Sequence, residues 1–252
     1  ERESSWLPLS FLPPPMNIKL DVHTHTIASG HAYSTLQEMV ASAKAKDLKI
    51  LGLTDHGPTI RGACHPVYFK NFHVIPREID GVKILMGAEI NILNTNGDLD
   101  LKDSTIDVLD VRIAGIHQSC FSPGSKKENT KGLIKVMENE KIDIISHPAD
   151  GSAEIDLEEI VIAAQSNRIL LEINNSSLNP NRGKILAWEN NKELIKLCKK
   201  HQLKVILGSD AHIAYDIANY KHIFKLFEEE NLPEELIIND KPELFWEYMK
   251  HD

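Results

Sequence analysis

The sequence has little cysteine, and the few cysteines it has are dispersed. Cys64, Cys120 and Cys198 are the three cysteines among 252 residues, and they form no CxxC pair. This pattern argues against a small disulfide-stapled fold and against a zinc site built on thiolates. A reducing compartment suits such a chain, so we expect it in the cytoplasm.

The chain also lacks long hydrophobic runs and an excess of positive charge. Its apolar stretches are no longer than strands, and no basic segment followed by ~7 to 15 apolar residues opens the chain. We therefore predict neither a membrane span nor a signal peptide. The formal net charge is -9, from 28 basic and 37 acidic residues, which argues against nucleic-acid binding through bulk charge. A pocket made cationic by metals remains open.

The length of 252 residues suits one α/β domain, which we assign to residues 16–252. Residues 1–15 end in three consecutive prolines and show no periodicity that continues into the rest of the chain. We interpret this segment as an N-terminal extension in front of a natural start at Met16. The alternative is an ordered arm, stiffened by its prolines, that packs on the domain.

Seven apolar runs of strand length alternate with amphipathic stretches, the pattern of a parallel sheet with crossover helices. Most runs lack the polar alternation of a half-exposed strand, so we expect them to be buried on both faces. The predicted strands are 18–22, 50–53, 82–86, 108–116, 142–145, 169–173 and 203–207. The predicted helices are 35–47, 132–140, 157–165, 192–201 and 216–229, with short closing pieces at 233–238 and 242–249.

What the sequence does have is histidine at the ends of predicted strands. Seven of its twelve histidines and two carboxylates lie at or just beyond an apolar run: His23, His25, His31, His56, Glu89, His117, His147, Asp210 and His212. Buried imidazoles and carboxylates without partners cost free energy, whereas metals would supply a partner for all of them. A catalytic zinc uses about three protein ligands, so nine residues with one bridging carboxylate would serve three divalent ions. Imidazole-rich ligands without sulfur favour zinc, with manganese or iron as alternatives.

Other polar residues are weaker candidates for the same site. Asp21 and Asp55 come shortly before ligand-type histidines, so they are predicted to orient imidazoles from behind. The alternative is that they cap loops or pair at the rim. The long loop after the second predicted strand carries Arg61, His65 and His73, and a later loop carries Arg182. These four are candidates for holding a substrate phosphate, because loops after parallel strands concentrate binding groups and a guanidinium grips two phosphate oxygens. Solvated surface residues are the equally good interpretation of each.

The strand-end residues stand in ordered blocks that resemble the PHP domain, the polymerase and histidinol phosphatase superfamily of metal-dependent phosphoesterases. These blocks are Asp21-Val22-His23-Thr24-His25, Thr54-Asp55-His56-Gly57, Gly87-Ala88-Glu89, Ile145-Ser146-His147-Pro148 and Gly208-Ser209-Asp210-Ala211-His212. Two further blocks, residues 28–34 and 171–177, are similar to the small stand-alone bacterial phosphatases with a trinuclear zinc centre. The resemblance covers the chain from about Met16 onward. It implies a distorted (β/α)7 barrel.

The resemblance also implies which residues would hold each ion, and all nine ligand positions of the family are filled. One ion would be held by His23, His25, Glu89 and Asp210. A second would be held by Glu89, His117 and His147, with Glu89 bridging. A third would be held by His31, His56 and His212.

The leading hypothesis is hydrolysis of a phosphate ester of a small molecule, with a hydroxide activated by the metals as the nucleophile. A nuclease or phosphodiesterase is one alternative, although the acidic composition argues against long nucleic-acid substrates. A histidinol-phosphate phosphatase is another. An alternative of a different class is a metal-bound structural or regulatory module, whose ions would have no open coordination position. The sequence leaves the oligomeric state open.

Overall fold

The computed structural model describes residues 16–249, so the predicted extension at residues 1–15 lies outside the described residues. The strands are β1 (Leu20–Asp21), β2 (Ile50–His56), β3 (Glu78–Ile79), β4 (Val82–Asn91), β5 (Val111–Gly115), β6 (Ile144–Ile145), β7 (Leu170–Asn174) and β8 (Val205–Gly208). The α-helices are α1 (Leu36–Ala45), α2 (Val67–Lys70), α3 (Asp103–Ile106), α4 (Lys126–Met137), α5 (Leu157–Asn167), α6 (Ala187–His201), α7 (Lys221–Glu229) and α8 (Pro242–Tyr248). Within the described range, no helix has the length and apolar character needed to cross a membrane.

Seven of these strands form a parallel sheet in the order β1, β2, β4, β5, β6, β7, β8, and the short β3 pairs antiparallel with β4. The two ends of the sheet meet just beyond β1 and β8, where Thr24 and Ala211 form a parallel bridge. There the N–H of His25 donates to the carbonyl of Ala211 at 2.8 Å. The sheet is thereby nearly closed into a barrel surrounded by helices, and the prediction of a distorted (β/α)7 barrel is confirmed.

A single buried amide joins β1 to β8 on the other side of this bridge. The side chain of Asn239 accepts a hydrogen bond from the N–H of Leu207 at 2.7 Å. Its amide nitrogen donates to the carbonyls of Leu20 and Leu207 at 3.1 and 2.8 Å. Because the amide uses both donor hydrogens and its acceptor, it can be buried between two strands at little cost.

The inside of the barrel changes from apolar to polar along the strands. Near the strand starts, one apolar cluster contains Leu20, Val22, Ile50, Leu85, Val111, Ile113, Ile144, Leu170, Ile206, Ile238 and Phe245. Two residues beyond members of this cluster stand Gly52, Gly87, Gly115 and Gly208. Beyond the glycines come His56, Glu89, His117 and Asp210. Since strand side chains alternate with a period of two, all of these positions belong to the inner face.

The glycine layer makes room for larger polar side chains from neighbouring strands. A Cβ on Gly208 would lie 1.7 Å from Oε1 of Glu172, and a Cβ on Gly115 would lie 2.2 Å from Oγ of Ser146. Neither distance is possible between real atoms. Glycine is therefore required at these two positions for close approach rather than for a special backbone conformation.

The start of α1 was predicted correctly, whereas those of α4 and α6 lie further toward the N-terminus than predicted. Thr35 caps α1 in a capping box with Glu38, as predicted. A second capping box, between Ser125 and Glu128, starts α4 at residue 126 instead of 132. Helix α6 begins at residue 187 instead of 192, because its buried position 191 is an asparagine that hides the apolar periodicity.

Several further boundaries differ from the predictions for local reasons. β2 and β4 continue past residues 53 and 86, because their polar ends remain paired with each other as far as His56 and Glu89. The predicted strand 108–116 begins at residue 111, after α3 and a turn. α7 begins at residue 221 instead of 216, because residues 214–216 form a separate 3-10 turn before it. The long loop 57–77 is not wholly irregular, since Phe69 and Phe72 anchor α2 and a following 3-10 turn in the core.

Candidate metal centre

Glu89 lies at the centre of the polar end of the barrel, and its two carboxylate oxygens face different imidazoles. Oε1 lies 2.8 Å from Nε2 of His147 and 3.3 Å from Nε2 of His117. Oε2 lies 2.8 Å from Nδ1 of His56 and 3.3 Å from Nε2 of His23. This is the arrangement that a carboxylate needs if it is to bridge two ions.

Asp210 and His25 complete a second set of donors beside His23. Oδ1 of Asp210 lies 3.2 Å from Nε2 of His25 and 3.8 Å from Nε2 of His23. The donor atoms of these three residues all lie within 4.8 Å of one another. Oε2 of Glu89 is also 3.6 Å from Nε2 of His25. These four residues are the set that the sequence resemblance implies for one ion.

In two further groups of three residues, the donor atoms also lie within 4.8 Å of one another, and the groups share some members. One contains His56, Glu89 and His117, and the other contains His25, His56 and His212. His31 joins the second of these at the rim, with its Nε2 3.0 Å from Nε2 of His212. All nine predicted ligands are thus brought together at one end of the barrel. Their division among separate ions stays a prediction.

Several of the inward-facing donor atoms are buried and unpartnered. Within residues 16–249, His23 Nε2, His25 Nε2, His56 Nδ1 and Glu89 Oε2 make no hydrogen bond. His56 Nδ1 and Glu89 Oε2 are 2.8 Å apart, but they do not meet in hydrogen-bond geometry. Unpartnered polar atoms are expensive to bury, yet here they converge on a common space. A divalent cation would satisfy imidazole nitrogens and carboxylate oxygens together. The nitrogen-rich, sulfur-free donor set therefore fits zinc, manganese or iron.

Three of the imidazoles have a partner on the nitrogen that faces away from the centre, and this contact fixes the ring. The outward pairs are His23 Nδ1 with Glu172 Oε1 at 2.6 Å, His25 Nδ1 with Ser29 Oγ at 3.0 Å, and His117 Nδ1 with Asn91 Oδ1 at 2.8 Å. A hydrogen bond at Nδ1 leaves Nε2 free to coordinate, so these contacts set the tautomer that a metal requires.

Asp55 reaches the site through Ser29 rather than by direct contact. Its Oδ1 accepts from the hydroxyl of Ser29 at 2.7 Å, and the same hydroxyl oxygen lies 3.0 Å from Nδ1 of His25. Its Oδ2 accepts from the hydroxyls of Thr26 and Tyr68 at 2.8 and 2.9 Å. Asp55 therefore fixes the first loop and, through one hydroxyl, the ring of His25.

Asp21 contacts the backbone next to the site. Its carboxylate accepts from the N–H groups of Ser209 and Ala218 at 3.3 and 2.8 Å. These contacts correspond to the loop-capping alternative, and they hold the segment that carries Asp210. Burial raises the pKa of Asp21, and the hydrogen bonds from Ser209 and Ala218 offset only part of that shift.

The four candidate phosphate-binding residues divide into two pairs. Arg182 is exposed. Burial lowers the pKa of His31, the charges of His212 and His56 lower it further, and the charge of Arg182 contributes to the same shift. Arg61 is exposed and precedes Gly62, whose carbonyl oxygen would be 2.1 Å from a Cβ on Gly30, next to His31. Arg182 thus acts on His31 through its charge, and the residue after Arg61 lies against the loop that carries His31.

The two histidines of that group contact their own loop. Nδ1 of His65 accepts from the N–H of Val67 at 3.2 Å, and Nδ1 of His73 lies 3.3 Å from the carbonyl of Lys70. Both side chains are exposed, as the surface interpretation requires. No contact that the structure describes ties them to the nine donors.

Sequence reasoning missed the residues that support the ligands from behind. Glu172, Ser29 and Asn91 each contact a ligand imidazole, and Asp150 lies 3.5 Å from Nδ1 of His147 while accepting from Lys184 at 2.8 Å. Glu172 had a signal, since it stands two residues beyond the inward-facing Leu170. Asn91 had the same signal, since it follows the inward-facing Glu89 by two residues on β4. Ser29 and Asp150 lie outside the strands, where no periodic pattern marks them.

Charge separates the histidines of the site into two classes. Burial, together with the charges of His56 and His212, holds the pKa of His25 well below its usual range. Burial lowers the pKa of His147 too, but the hydrogen bond to Glu89 and the charge of Asp150 outweigh it and raise the pKa to about 9. Burial raises the pKa of Glu89, yet the surrounding histidines bring it well below its usual range. The central carboxylate is therefore ionised at neutral pH.

Two of the nine residues also have a backbone conformation that is uncommon outside glycine. φ is 31° at His147 and 53° at Asp210, both in the left-handed region. Such conformations cost of the order of 1–3 kcal/mol and persist only where the surroundings enforce them. Both residues end strands by turning into loops, and in doing so they aim side chains back into the barrel mouth.

Comparison with known proteins agrees with this geometry. The model of the PHP domain matches residues 21–176. A relative from Clostridium novyi (strain NT), named "Probable phosphatase", is 44% identical over 93% of this chain and 96% of its own length. The chain belongs to the PHP domain family. A second relative, from Acetivibrio thermocellus, has the same name and is 40% identical over 93% of this chain and 96% of its own length.

Solved structures of other proteins share the fold. Histidinol phosphate phosphatase from Lactococcus lactis, complexed with zinc, L-histidinol and phosphate, aligns with a TM-score of 0.58 at 21% identity, covering 85% of this chain and 94% of that one. A chain in archaeal ribonuclease P with mature tRNA aligns with a TM-score of 0.56 at 15% identity, covering 91% and 89%. The predicted family is confirmed. So is the class of reaction for this PHP protein, which is a phosphate-ester hydrolase.

Proposed function

We propose that this PHP protein hydrolyses phosphate esters of small molecules at a centre of three divalent ions held by the nine predicted ligands. The observation that carries the proposal is Glu89, whose two oxygens face separate sets of imidazole nitrogens. A lone histidine ending a strand is usually a hydrogen-bonded support. A carboxylate shared in this way by four histidines has no comparable packing role.

The ligand sets follow the resemblance, with zinc as the preferred metal. His23, His25, Glu89 and Asp210 would hold the first ion. Glu89, His117 and His147 would hold the second, and His31, His56 and His212 the third. The short distances from Glu89 to His23, His25, His117 and His147 support the first two sets, and the contact of His31 with His212 supports the third.

Bound divalent ions would supply a nucleophile near neutral pH and neutralise charge on the phosphoryl group. The chain's own residues prepare that site. Ser29 and Glu172 fix the rings of His25 and His23 with Nε2 turned inward. Arg182 stands at the rim, where a guanidinium can hold phosphate oxygens in a bidentate grip. Arg61, on the neighbouring loop, is the second candidate for this role.

The depth of the centre favours a small substrate. The side chains of His23 and His25 are 1% and 0% exposed, whereas those of His117 and His212 are 18% and 14% exposed. The site therefore has a buried floor and a mouth that opens at the carboxyl ends of the strands, the usual location of active sites in barrels. An accessible mouth supports catalysis over a closed structural metal site. The net charge of -9 also argues against long nucleic-acid substrates.

The experiment uses the full chain loaded with Zn²⁺, Mn²⁺ or Fe²⁺ and assayed with a generic aryl phosphate. We expect turnover that is lost on chelation and in His56→Ala, while His201→Ala, which replaces a histidine in the last turn of α6, retains it. Elemental analysis should give three ions per chain. Absence of turnover across mono- and diesters would overturn the phosphatase, and a count near zero or one would overturn the three-ion centre.

Additional substrates separate the alternatives within the same assay. Histidinol phosphate tests the activity named for the Lactococcus lactis neighbour. A labelled oligonucleotide tests the nuclease alternative, and preferential release of nucleotides would replace the small-molecule assignment.

A further inference from the structure

A carboxylate outside the nine predicted ligands connects two of them. Glu172 is buried on the inner face of β7. Its Oε1 lies 2.6 Å from Nδ1 of His23, which comes from the opposite end of the chain. Its Oε2 accepts from the backbone N–H of His147 at 2.9 Å and from the amide of Asn174 at 3.0 Å.

The barrel is shaped around this carboxylate. Gly208 on the neighbouring strand leaves the space that Oε1 occupies, since a Cβ there would approach it to 1.7 Å. Both oxygens are engaged by donors from β7 and from the segments after β1 and β6. The Glu172 carboxylate is therefore held in one position, and it fixes the ring of His23 and the backbone of His147 in turn.

The two contacts have different consequences. At His23, a carboxylate on Nδ1 fixes the proton there and turns Nε2 inward, where it lies 3.3 Å from Oε2 of Glu89. At His147, the hydrogen bond is to the backbone of a residue whose φ is 31°. It stabilises a turn that an ordinary residue resists. That turn brings Nε2 of His147 to 2.8 Å from Oε1 of Glu89.

We propose that Glu172 is a positioning residue that sets a ligand of two different ions at once, the ring of His23 for one ion and the turn of His147 for the other. This inference rests on the proposed metal centre. It implies that the first two ions depend on one buried carboxylate to which neither is bound. The third ion, with His31, His56 and His212, has no contact with Glu172 among the described residues and is independent of it.

The test compares metal affinities of Glu172→Gln with those of the unaltered chain and of Asp143→Asn. The glutamine keeps size and shape but cannot accept from His23 and His147 together. Asp143 is the matched control, because it is also fully buried and also accepts from a backbone N–H, that of Arg112 at 2.9 Å, near the start of β6. Affinities are measured by competition with a chromogenic chelator, and elemental analysis counts the ions that remain.

We expect Glu172→Gln to bind two of its three ions ~10- to 100-fold more weakly, the usual effect of removing an outer partner, and the third with unchanged affinity. Asp143→Asn should keep all three affinities. Glu172→Asp keeps the carboxylate on a shorter side chain, so its metal affinities should lie between those of Glu172→Gln and those of the unaltered chain. This variant provides the test if Glu172→Gln does not fold.

Three wild-type affinities in Glu172→Gln would overturn the proposal, and so would an equal loss of all three ions or the same loss in Asp143→Asn. If both Glu172 variants fail to fold while Asp143→Asn folds, the residue is structural and the proposal also fails. The readout is metal binding, so it is separable from the phosphatase assignment. A chain that holds three ions but hydrolyses no ester would refute that function and leave the role of Glu172 to be decided by the affinities.

Discussion

The lower half of the barrel interior contains aliphatic side chains, whereas the upper half of the same strands contains histidines and carboxylates. Along β8 and the residues that follow it, Ile206, Gly208 and Asp210 point inward in turn. Ile206 stabilises the fold because its apolar side chain is buried away from water. Asp210 is held in a left-handed backbone conformation beside two imidazoles. The comparison teaches that the same strands can stabilise the fold with their first residues and supply reactive side chains with their last. Each half should therefore respond to mutation in its own way.

The largest effect should come from removing the shared carboxylate of the upper half. Glu89→Gln keeps the shape of the side chain but cannot bridge two ions, so we expect kcat/KM to fall by roughly 10³-fold or more, with loss of bound metal. The metal-free variant should unfold at a lower temperature than the metal-free parent, because the protonated His147 loses the carboxylate that raises its pKa. Ester hydrolysis, elemental analysis and thermal melts measure these outcomes. A variant that keeps its ions and most of its activity would mean that Glu89 is not the bridge.

The lower half should show the opposite response. Leu170 is 0% exposed in the apolar cluster, and Leu170→Ala should lower the free energy of unfolding by about 2–5 kcal/mol through lost burial and a cavity. At a temperature where the variant is folded, its metal content and activity should equal those of the parent. Denaturant unfolding and the ester assay provide the comparison. If activity falls in proportion to stability, the two halves are not separate.

The metal-free and metal-loaded forms should respond to pH with opposite signs. The pKa of His147 is raised from 6.5 to about 9 in the folded chain, because its contacts with Glu89 and Asp150 outweigh burial. Its contribution to stability is thus fully present below pH 6.5 and is lost as pH rises through about 9. In the metal-free form this loss should be on the order of 3 kcal/mol, because each pKa unit corresponds to about 1.4 kcal/mol.

In the loaded form, ions need deprotonated imidazole, so metal affinity and the stability that it confers should increase over the same range. Thermal melts with and without chelator between those pH values measure both trends. Parallel trends in the two forms would show that His147 does not bind metal.

The smallest effect should come from the rim, which belongs to neither half. Arg182→Ala should raise KM about tenfold for a phosphate ester and leave the ion count unchanged, since the guanidinium is proposed to hold substrate and no ion. Arg168, an exposed arginine at the end of α5, is the matched control. If Arg168→Ala has an equal effect on KM, the change reflects overall charge and not a phosphate contact.

The two halves also differ in how well the sequence predicts them. Apolar periodicity is local, so the strands and the class of fold could be recognised, and the nine ligand types stand out because each lies at or just beyond an apolar run. The supports of those ligands could not be predicted in the same way. His23 and Glu172 are 149 residues apart, and their contact depends on the register of strands at opposite parts of the sheet. The roles of Ser29 and Asn91 likewise depend on where the fold places the rings of His25 and His117.

Asn239 has a consequence for the order in which the chain can assemble. Its amide binds Leu20, 219 residues earlier, and joins β1 to β8 beside the seam that is closed above by His25 and Ala211. Contacts of such high sequence separation form late, because a long loop must close before they contribute. A chain emerging from the ribosome can therefore pair its strands from β2 to β7 before it can seal this seam. His25 and Asp210 lie on the two sides of the seam, so the first ion site is completed only when the barrel closes.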